Sequence, residues 1–359
     1  MIEGFESINI NYEHRISAAI KWLRFPLIFL IIMLHCYSVQ RLEGNRETYF
    51  KVVYPFALWL GETGVPCFFF ISGYLFFLSK KTYLQKIITR IHTLLIPYIL
   101  WNLLLLIIYL IVYACGHPLV IFNTNISDFN ITDYIRLFWD RGEFDRGNSA
   151  PLLCPLWYIR NLLVMSVLSP FLYYIIKYIR EAFLLAVAVW WVNTNDNAFT
   201  PQTILFFGLG AYFSIFGINP LKKVVENKRL FLTFFSLLAS IDIIVHVSIS
   251  TPFNLMIHRL ALLFNIPAMF LLAYIMIRKS HNRYTSFLSQ AAFIVFCVHY
   301  PIVLVLRKIC VIVFANSTDI VHIILYFVCV ILTTSLSVGF YWILNTFFPY
   351  IKSFLSGNR

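Results

Sequence analysis

The sequence predicts an all-α fold, a polytopic membrane helix bundle of about ten transmembrane helices with both termini in the cytoplasm. Hydrophobic residues make up 60% of the 359 residues, and the mean hydropathy is +0.79. Charged residues make up only 12%, whereas roughly 25% is usual in soluble domains. The net charge of +12 is therefore interpreted as a topology signal, and no nucleic-acid partner is expected.

Apolar runs long enough to cross about 30 Å of hydrocarbon recur along the whole chain, which we treat as a single integral-membrane domain, residues 1–359. The first run follows Glu3, Glu6 and Glu13 and has no small-residue cleavage site after it. It is therefore expected to be a retained helix rather than a signal peptide. The runs lie near 17–39, 55–79, 91–113, 156–176, 182–193 (short), 201–217, 230–250, 259–277, 286–306 and 320–348.

The connections between these runs differ in charge, and the difference sets the orientation. The connections after the second, fourth, sixth and eighth runs hold Lys80, Lys81, Lys86, Arg90, Lys177, Arg180, Lys222, Lys223, Lys228, Arg229, Arg278, Lys279 and Arg283. The opposite set is longer in total, contains most of the acids, and holds Arg41, Arg46, Lys51, Arg136, Arg141, Arg146, Arg307 and Lys308. By the positive-inside rule the first set is cytoplasmic, and the long loop at about 114–155 is external.

The first run carries two polar residues, Arg24 and His35, separated by ten others. Eleven steps of about 100° bring the two side chains to one helix face, about 16 Å apart along the axis. An arginine within hydrocarbon costs about 2.5–3.5 kcal/mol on insertion scales, so it often marks a site. The alternative is that Arg24 snorkels to the inner interface and His35 caps the outer end of the helix.

A few other ionisable residues fall at mid-depth or in the outer half of the predicted helices, where a polar cavity would open outward. They are Glu62, Arg160, Asp242, His246, Arg259 and His299. Asp242 and His246 stand four apart on one helix and can form a structural pair or part of a substrate site. Glu62 and Arg259 can also be simply interfacial.

Five stretches follow one another in an order typical of a single family. They are Arg24 with His35, GVPCFFFISGYLFF from Gly64, TRIHTLLIPYILWN from Thr89, PLWYIRNLLVMSVLSP from Pro155 and LSQAAFIVFCVHYPIV from Leu288. On these motifs nearly the whole chain resembles the bacterial integral-membrane acyltransferase family 3, whose members O-acetylate surface polysaccharides. Asn161 departs from the pattern, because many relatives carry an acid after the arginine.

The resemblance implies acyl transfer from acyl-CoA, most simply acetyl-CoA, to a hydroxyl of a cell-surface or lipid-linked glycan at the bacterial inner membrane. His35 is then the expected base, with an acyl-histidine intermediate as a variant. Arg24 is expected to hold the thioester end or a phosphate of the donor. Arg90, Lys86 and His92 are expected to bind the anionic head of coenzyme A, although ordinary positive-inside charge also explains them.

Two further groups of residues match the family motifs. Trp157, Tyr158 and Arg160 can stack a sugar ring and bond its hydroxyls, or form an interfacial aromatic belt. His299 precedes Tyr300 and Pro301, so a local helix break can present it as a third catalytic residue. The remaining histidines are expected to be solvated: His14, His92, His117, His258, His281 and His322. The seven cysteines show no metal spacing, and no metal is expected.

The competing hypothesis is a transporter or flippase of a lipid-linked sugar, which would also bury a few charges in a multi-helix bundle. Such folds often contain two similar halves with interrupted helices at matching positions. We find no such repeat in the sequence. The expected partners are therefore acyl-CoA, a glycan or lipid-linked sugar acceptor, and membrane lipids.

Overall fold

A computed structural model describes residues 2–37, 46–117, 120–121, 124–141, 149–194, 199–248, 253–279 and 283–358. Arg41, Arg146 and His281, and parts of the predicted external loop, lie outside the described residues. The helices are α1 Ile2–Cys36, α2 Glu47–Tyr54, α3 Gly64–Leu78, α4 Tyr83–Arg90, α5 Ile96–Ala114, α6 Ile131–Arg136, α7 Trp157–Val167, α8 Ser169–Ile179, α9 Glu181–Asn193, α10 Phe199–Ile215, α11 Pro220–Glu226, α12 Lys228–Ser248, α13 Asn254–Lys279, α14 Arg283–Val313, α15 Asp319–Phe347 and α16 Pro349–Ser356. One short hairpin pairs β1 Val120–Ile121 with β2 Thr124–Asn125.

The apolar runs of the sequence all form helix, which confirms the all-α polytopic bundle. Within the described residues, seven helical segments are long and apolar enough to cross a membrane, and two bent pairs bring the number to nine. The remaining predicted run is α9, whose 13 residues extend about 20 Å and fall short of a full span. Every one of the ten runs thus corresponds to helix, but not every run is a straight transmembrane segment.

Several helices are interrupted, and each interruption has a local cause. The second span passes from α2 through a π-helical turn, Pro55–Leu60, and a 3-10 turn, Gly61–Thr63, into α3. The third span contains a π-helical turn, Ile91–Leu95, just before Pro97. The pair α7 and α8 bends by 70°, and the pair α10 and α11 by 91°. Proline near the start of α8 and α11 fits these bends, because it cannot continue a preceding helical hydrogen-bond ladder.

α1 is the central helix, since it contacts α3, α13, α14 and α15. The closest packing in the bundle is between α3 and α10, where two glycines allow the backbones to touch. A Cβ on Gly73 would lie 2.1 Å from the Phe207 oxygen, and one on Gly210 would lie 2.0 Å from the Phe70 oxygen. Small residues at a helix crossing are typical of membrane bundles. The Ser-Gly-Tyr sequence in α3 therefore has a packing role.

The loop between α5 and α7 folds back into the bundle. The Tyr98 hydroxyl donates to the Phe138 oxygen, although Tyr98 lies sixteen residues, about 24 Å, before the end of α5. Leu153 N donates to Asn102 Oδ1 at 3.0 Å. Leu137 and Ala150 are fully buried. The predicted external loop thus reaches the middle of the bundle and contributes residues to its interior.

Contacts between chain ends and loops join segments that the sequence assigned to the same side of the membrane. Arg46, before α2, forms an ion pair with Asp319 at the start of α15 at 3.3 Å. On the other side, Asn219 Nδ2 donates to the Tyr12 oxygen at 3.3 Å. Gly357, after α16, packs against the backbone of His92. Segments assigned to one side of the membrane from their charge therefore meet one another in the fold.

Candidate functional site

The two histidines that the sequence predicts to be catalytic meet inside the bundle. The rings of His35 on α1 and His299 on α14 lie 5.3 Å apart between centroids. The Tyr300 ring meets His35 edge-on at 5.2 Å. His35 is half-buried, whereas His299 is fully buried. A titratable side chain that remains accessible is therefore backed by a second imidazole from a different helix.

The backbone of α14 fixes the orientation of the His299 ring. His299 Nδ1 lies 2.7 Å from the Phe296 oxygen and 3.2 Å from the Val295 oxygen. Since carbonyl oxygens only accept, Nδ1 carries the hydrogen, and in the neutral ring Nε2 is the acceptor. Within the described part of the chain Nε2 has no hydrogen-bond partner, although it is buried. A buried nitrogen with an open lone pair is the feature expected of a group that accepts a proton or a hydrogen bond from a substrate.

Two arginines that sequence reasoning assigned to external loops lie beside this pair. Arg141 Nη2 donates to the Tyr300 hydroxyl at 3.3 Å, and Arg307 Nη1 donates to the His35 oxygen at 3.0 Å. Both guanidinium groups are close enough to His35 for direct charge interaction. Burial lowers the pKa of Arg141, but Cys154 and Tyr300 outweigh it, so that the pKa is raised and the group stays charged. The site thus combines imidazole and guanidinium groups.

Arg24 lies on the same helix as His35, as predicted, but it is not part of the histidine cluster. Arg24 is exposed, and none of the hydrogen bonds or ion pairs seen among the described residues involves its side chain. Ten residues of continuous helix lie between it and His35, and the eleven steps correspond to a rise of about 16 Å. A substrate that touched both residues would have to be extended along α1.

The predicted donor-binding residues cluster around α4. Lys86 Nζ lies 5.0 Å from the centroid of the Phe76 ring, and Arg90 Cζ lies 5.5 Å from the same centroid. Both cations are half-buried, while His92 in the following π-helical turn is exposed. Cation–π contact holds the two charged groups on one aromatic ring while leaving their hydrogen atoms available to an anion. The three residues are therefore neighbours on one side of the bundle.

The aromatic and arginine residues at the start of α7 have mainly packing roles. Trp157 is buried and stacks on Phe199 at 3.9 Å, so that face is closed to a sugar. The Tyr158 hydroxyl pairs with Ser72 Oγ at 3.0 Å. Arg160 is buried and donates to the Trp139 oxygen at 2.6 Å and the Ser149 oxygen at 2.9 Å. These contacts anchor the inward-folded loop to α7.

Asn161, the position at which we expected a departure from the family pattern, takes part in this anchoring. Its Oδ1 accepts from Arg160 Nη2 at 2.9 Å and from Arg160 Nε at 3.1 Å. Its Nδ2 donates to Thr203 Oγ1 at 3.0 Å. A neutral amide oxygen can accept both hydrogen bonds that a carboxylate would accept. The substitution thus preserves the contact with the arginine.

A second polar cluster joins α2, α12 and α13 and contains three residues proposed from the sequence. Asp242 is fully buried and lies 2.9 Å from Nδ1 of His246 and 2.9 Å from Nδ1 of His258. His258 Nε2 lies 3.2 Å from Glu62 Oε2. The Tyr54 hydroxyl donates to both Asp242 oxygens at 3.3 Å. We call these five residues the carboxylate network, and only Glu62 has a substantially exposed side chain, at 41%.

The expectation that His258 is solvated is wrong. It is 5% exposed and bridges two carboxylates from different helices. His322 is also buried rather than solvated. Position near a helix end misled the prediction, because a side chain within the first turns of a helix can still be covered by neighbouring helices. The signal that was present is that His258 sits one helical turn past the start of α13, on a segment that faces the already suspected Asp242.

These features define an all-α integral-membrane protein whose helices bring two histidines together. A sequence profile described as an acyltransferase domain matches residues 17–342. The chain belongs to this family and is a membrane acyltransferase, which confirms the family indicated by its motifs. It is also similar to the succinoglycan biosynthesis protein ExoH of Rhizobium meliloti, with 26% identity over 364 residues that cover 97% of this chain and 94% of that protein. No solved structure matches the chain.

Proposed function

We propose that this protein transfers an acyl group, most simply acetyl, from acyl-CoA to a hydroxyl of a cell-surface or lipid-linked glycan at the bacterial inner membrane. The observation that carries the proposal is the pairing of His35 with His299, whose Nε2 is buried and open among the described residues. The similarity to a succinoglycan biosynthesis protein supports a polysaccharide acceptor. The acyltransferase family favours group transfer over the alternative of a flippase for a lipid-linked sugar.

His35 acts as the general base in this proposal. It takes the proton of the acceptor hydroxyl as that oxygen attacks the thioester carbonyl. The tetrahedral intermediate then collapses, the carbon–sulfur bond breaks, and His35 returns the proton to the leaving thiolate. His299 is the second catalytic imidazole, with its Nε2 available to hydrogen-bond the His35 ring or the reacting groups. The same two residues would support an acyl-histidine intermediate if the nitrogen attacked first.

The charge that develops on the carbonyl oxygen needs donors or cations in a site sheltered from water. Arg141 and Tyr300 are hydrogen-bonded to each other beside His35 and supply both a cation and a hydroxyl. Arg141 arrives on the loop that folds into the bundle between α5 and α7. This loop also shelters the site on its outer side, which favours transfer over hydrolysis of the donor.

The donor approaches from the cytoplasmic side. Lys86 and Arg90, held over Phe76, bind the phosphates of its anionic head together with His92. Arg24 is the cation between this side and the histidine pair and holds a phosphate of the donor, because it lies about 16 Å from His35, where the thioester reacts. The acceptor approaches from the outer side, where Glu62 is the member of the carboxylate network that a sugar hydroxyl can reach. Asp242 and His246 hold the network in place and support Glu62. Packing contacts of Trp157, Tyr158 and Arg160 position the residues that line the acceptor side.

The direct test is acyl transfer from labelled acetyl-CoA to glycan in membranes that contain equal amounts of each variant. His35→Ala is expected to lower activity at least a hundredfold, because loss of a general base typically costs 10²–10⁴-fold. The matched control is His14→Ala, since His14 is an exposed histidine on the same helix. If His35→Ala keeps more than about a tenth of wild-type activity, only about 1.4 kcal/mol of transition-state stabilisation is lost, and the base must be His299.

The donor side has its own test. Arg90→Gln is expected to raise the KM for acyl-CoA about tenfold while the KM for the glycan stays unchanged, because a charge-assisted phosphate contact is worth about 1.5–3 kcal/mol. Lys81→Gln is the matched control, since Lys81 is an exposed cation close to α4 whose Nζ contacts Thr89 Oγ1. An unchanged donor KM in Arg90→Gln would remove Arg90 from the donor site without affecting the assignment of His35.

A further inference from the structure

α1 ends inside the bundle rather than at its outer surface. Its last helical residue is Cys36, and the level of this end is given by its contacts with two longer helices. Arg307, which bonds to the His35 oxygen, lies six residues before the end of α14, about 9 Å along that helix. Tyr326, which bonds to the Met33 oxygen, lies seven residues after the start of α15, about 10 Å. The C-terminal turn of α1, which carries His35, therefore lies deeper in the bundle than the nearby ends of α14 and α15.

A helix that ends in such surroundings needs partners for its last carbonyl groups. The last four carbonyls of any α-helix have no partner within the helix. In a membrane interior an unsatisfied carbonyl costs several kcal/mol. The Tyr326 hydroxyl donates to the Met33 oxygen at 3.1 Å, and Arg307 Nη1 donates to the His35 oxygen at 3.0 Å. Tyr37 N donates to the Leu34 oxygen at 3.2 Å.

We infer that Arg307 and Tyr326 are positioning residues for His35, an inference that rests on the proposed function of that histidine. Each one holds a carbonyl of the α1 C-terminal turn from a different helix, so that the turn can neither rotate nor slide. The bond from Arg307 is charge-assisted and directed at the negative end of the α1 dipole, which makes it stronger than a neutral one.

Arg307 also links the two candidate catalytic histidines. It lies on α14 two turns from His299 and is bonded to the residue that carries the other imidazole. The register between α1 and α14, and hence the spacing of the two rings, is set by this contact. A shift of about 1 Å in such a register can lower turnover about a hundredfold without any change in substrate contacts.

Two variants test the positioning role. Arg307→Met keeps the length of the side chain but removes every donor, and Tyr326→Phe removes only the hydroxyl. Each is expected to lower kcat about 10- to 100-fold, while the KM for acyl-CoA stays within about twofold of wild type. Arg307→Lys keeps the charge and a donor and is expected to restore part of the lost kcat. Lys308→Met, at the exposed neighbouring cation, is the matched control and should behave as wild type.

A second measurement separates positioning from a general loss of structure. The rate at which diethyl pyrocarbonate modifies His35 is followed by peptide mass spectrometry, with His14 in the same chain as the reference. Arg307→Met is expected to raise the rate at His35 and leave the rate at His14 unchanged, because only the α1 C-terminal turn is loosened. Should Arg307→Met fail to insert, Tyr326→Phe is measured in the same way.

The outcomes distinguish this inference from the function on which it rests. If Arg307→Met and Tyr326→Phe both keep kcat within twofold of wild type while His35→Ala is inactive, the positioning role is overturned and the role of His35 stands. If His35→Ala is itself active, His35 is not the base, and the positioning role falls with that assignment, whereas acyl transfer as the function stands. A kcat loss in Arg307→Met that Arg307→Lys partly restores, with donor KM unchanged, supports the positioning role.

Discussion

Among the described residues the bundle contains two clusters that each pair a buried imidazole with a half-buried one, and the two buried imidazoles use their nitrogens in opposite ways. In the carboxylate network both ring nitrogens of His258 face carboxylate oxygens, at 2.9 Å to Asp242 and 3.2 Å to Glu62. In the histidine pair, His299 uses Nδ1 on the carbonyls of its own helix and leaves Nε2 open among the described residues. The first arrangement is saturated with hydrogen bonds, and the second is not.

The difference indicates what each cluster can do. A nitrogen that already donates to a carboxylate has no lone pair to accept a proton, so His258 cannot act as a base without breaking a bond. The geometry fits an imidazolium held between two carboxylates, which links α13 to α12 and to the second span. His299 can accept a proton or a hydrogen bond without rearrangement. We therefore expect the histidine pair to carry out the acyl transfer. We expect the carboxylate network to stabilise the fold and to contact the acceptor.

The largest expected effect comes from removing the two imidazoles of the pair together. His35→Ala and His299→Ala should each lower kcat about 10²–10⁴-fold, and the double variant should be little worse than either single one, because residues that act as a unit are strongly non-additive. The measurement is single-turnover acyl transfer by folded protein. His258→Ala is the comparison variant. If it lowers kcat per folded molecule as much as His299→Ala, the distinction between the clusters is wrong.

Asp242→Ala should produce the next largest effect, on stability rather than on turnover. It leaves two histidines and a tyrosine hydroxyl without their common acceptor, and breaking a buried charged pair costs about 3–5 kcal/mol. Thermal unfolding in detergent measures the loss, and Asp128→Ala, at an exposed loop acid, is the control. The kcat of the remaining folded protein should stay within about twofold of wild type. A normal unfolding temperature with lost turnover would reverse the assignment.

The membrane spans and the position of Arg24 and His35 on one continuous helix could be predicted because they depend on local properties. Apolar length predicts helices in a bilayer, where each backbone group must be satisfied within the segment. Helical periodicity places residues eleven apart on one face. The spacing of Asp242 and His246 predicted their contact for the same reason. These predictions needed only the order of residues along a single helix.

The composition of the histidine site could not be predicted, because it depends on how distant segments fold together. Arg141 and Arg307 were counted among external charges, since charge statistics treat a loop as solvent-exposed. A loop that re-enters the bundle and a helix that ends below its neighbours both violate that assumption. His258 was missed for the same reason. His258 is buried, and Arg141 and Arg307 are half-buried with hydrogen bonds to residues of the bundle.

Glu62→Gln should have a moderate effect, and it tests whether Glu62 contacts the acceptor in addition to stabilising the carboxylate network. The Glu62 side chain is 41% exposed, so loss of its charge should lower stability by about 1 kcal/mol or less. If it also contacts the acceptor as proposed, the KM for the glycan should rise several-fold while the KM for acyl-CoA is unchanged. Steady-state kinetics with both substrates varied gives the two constants. Glu47→Gln is the control, and equal glycan KM values in the two variants would confine Glu62 to the structural role.

Tyr54→Phe should give the smallest effect, and its direction follows from what the change preserves. The ring still stacks on His246, with centroids 4.7 Å apart, and only the hydroxyl that donates to Asp242 at 3.3 Å is removed. Asp242 keeps both imidazole partners, so the loss should be about 1 kcal/mol of stability, typical of a single hydrogen bond, with no change in kcat or in either KM.

The measurement is thermal unfolding in the same detergent, with Tyr113→Phe at the exposed end of α5 as the control. A loss of turnover as large as that of His299→Ala would mean that the network passes protons through the tyrosine hydroxyl. The two clusters would then form one catalytic unit.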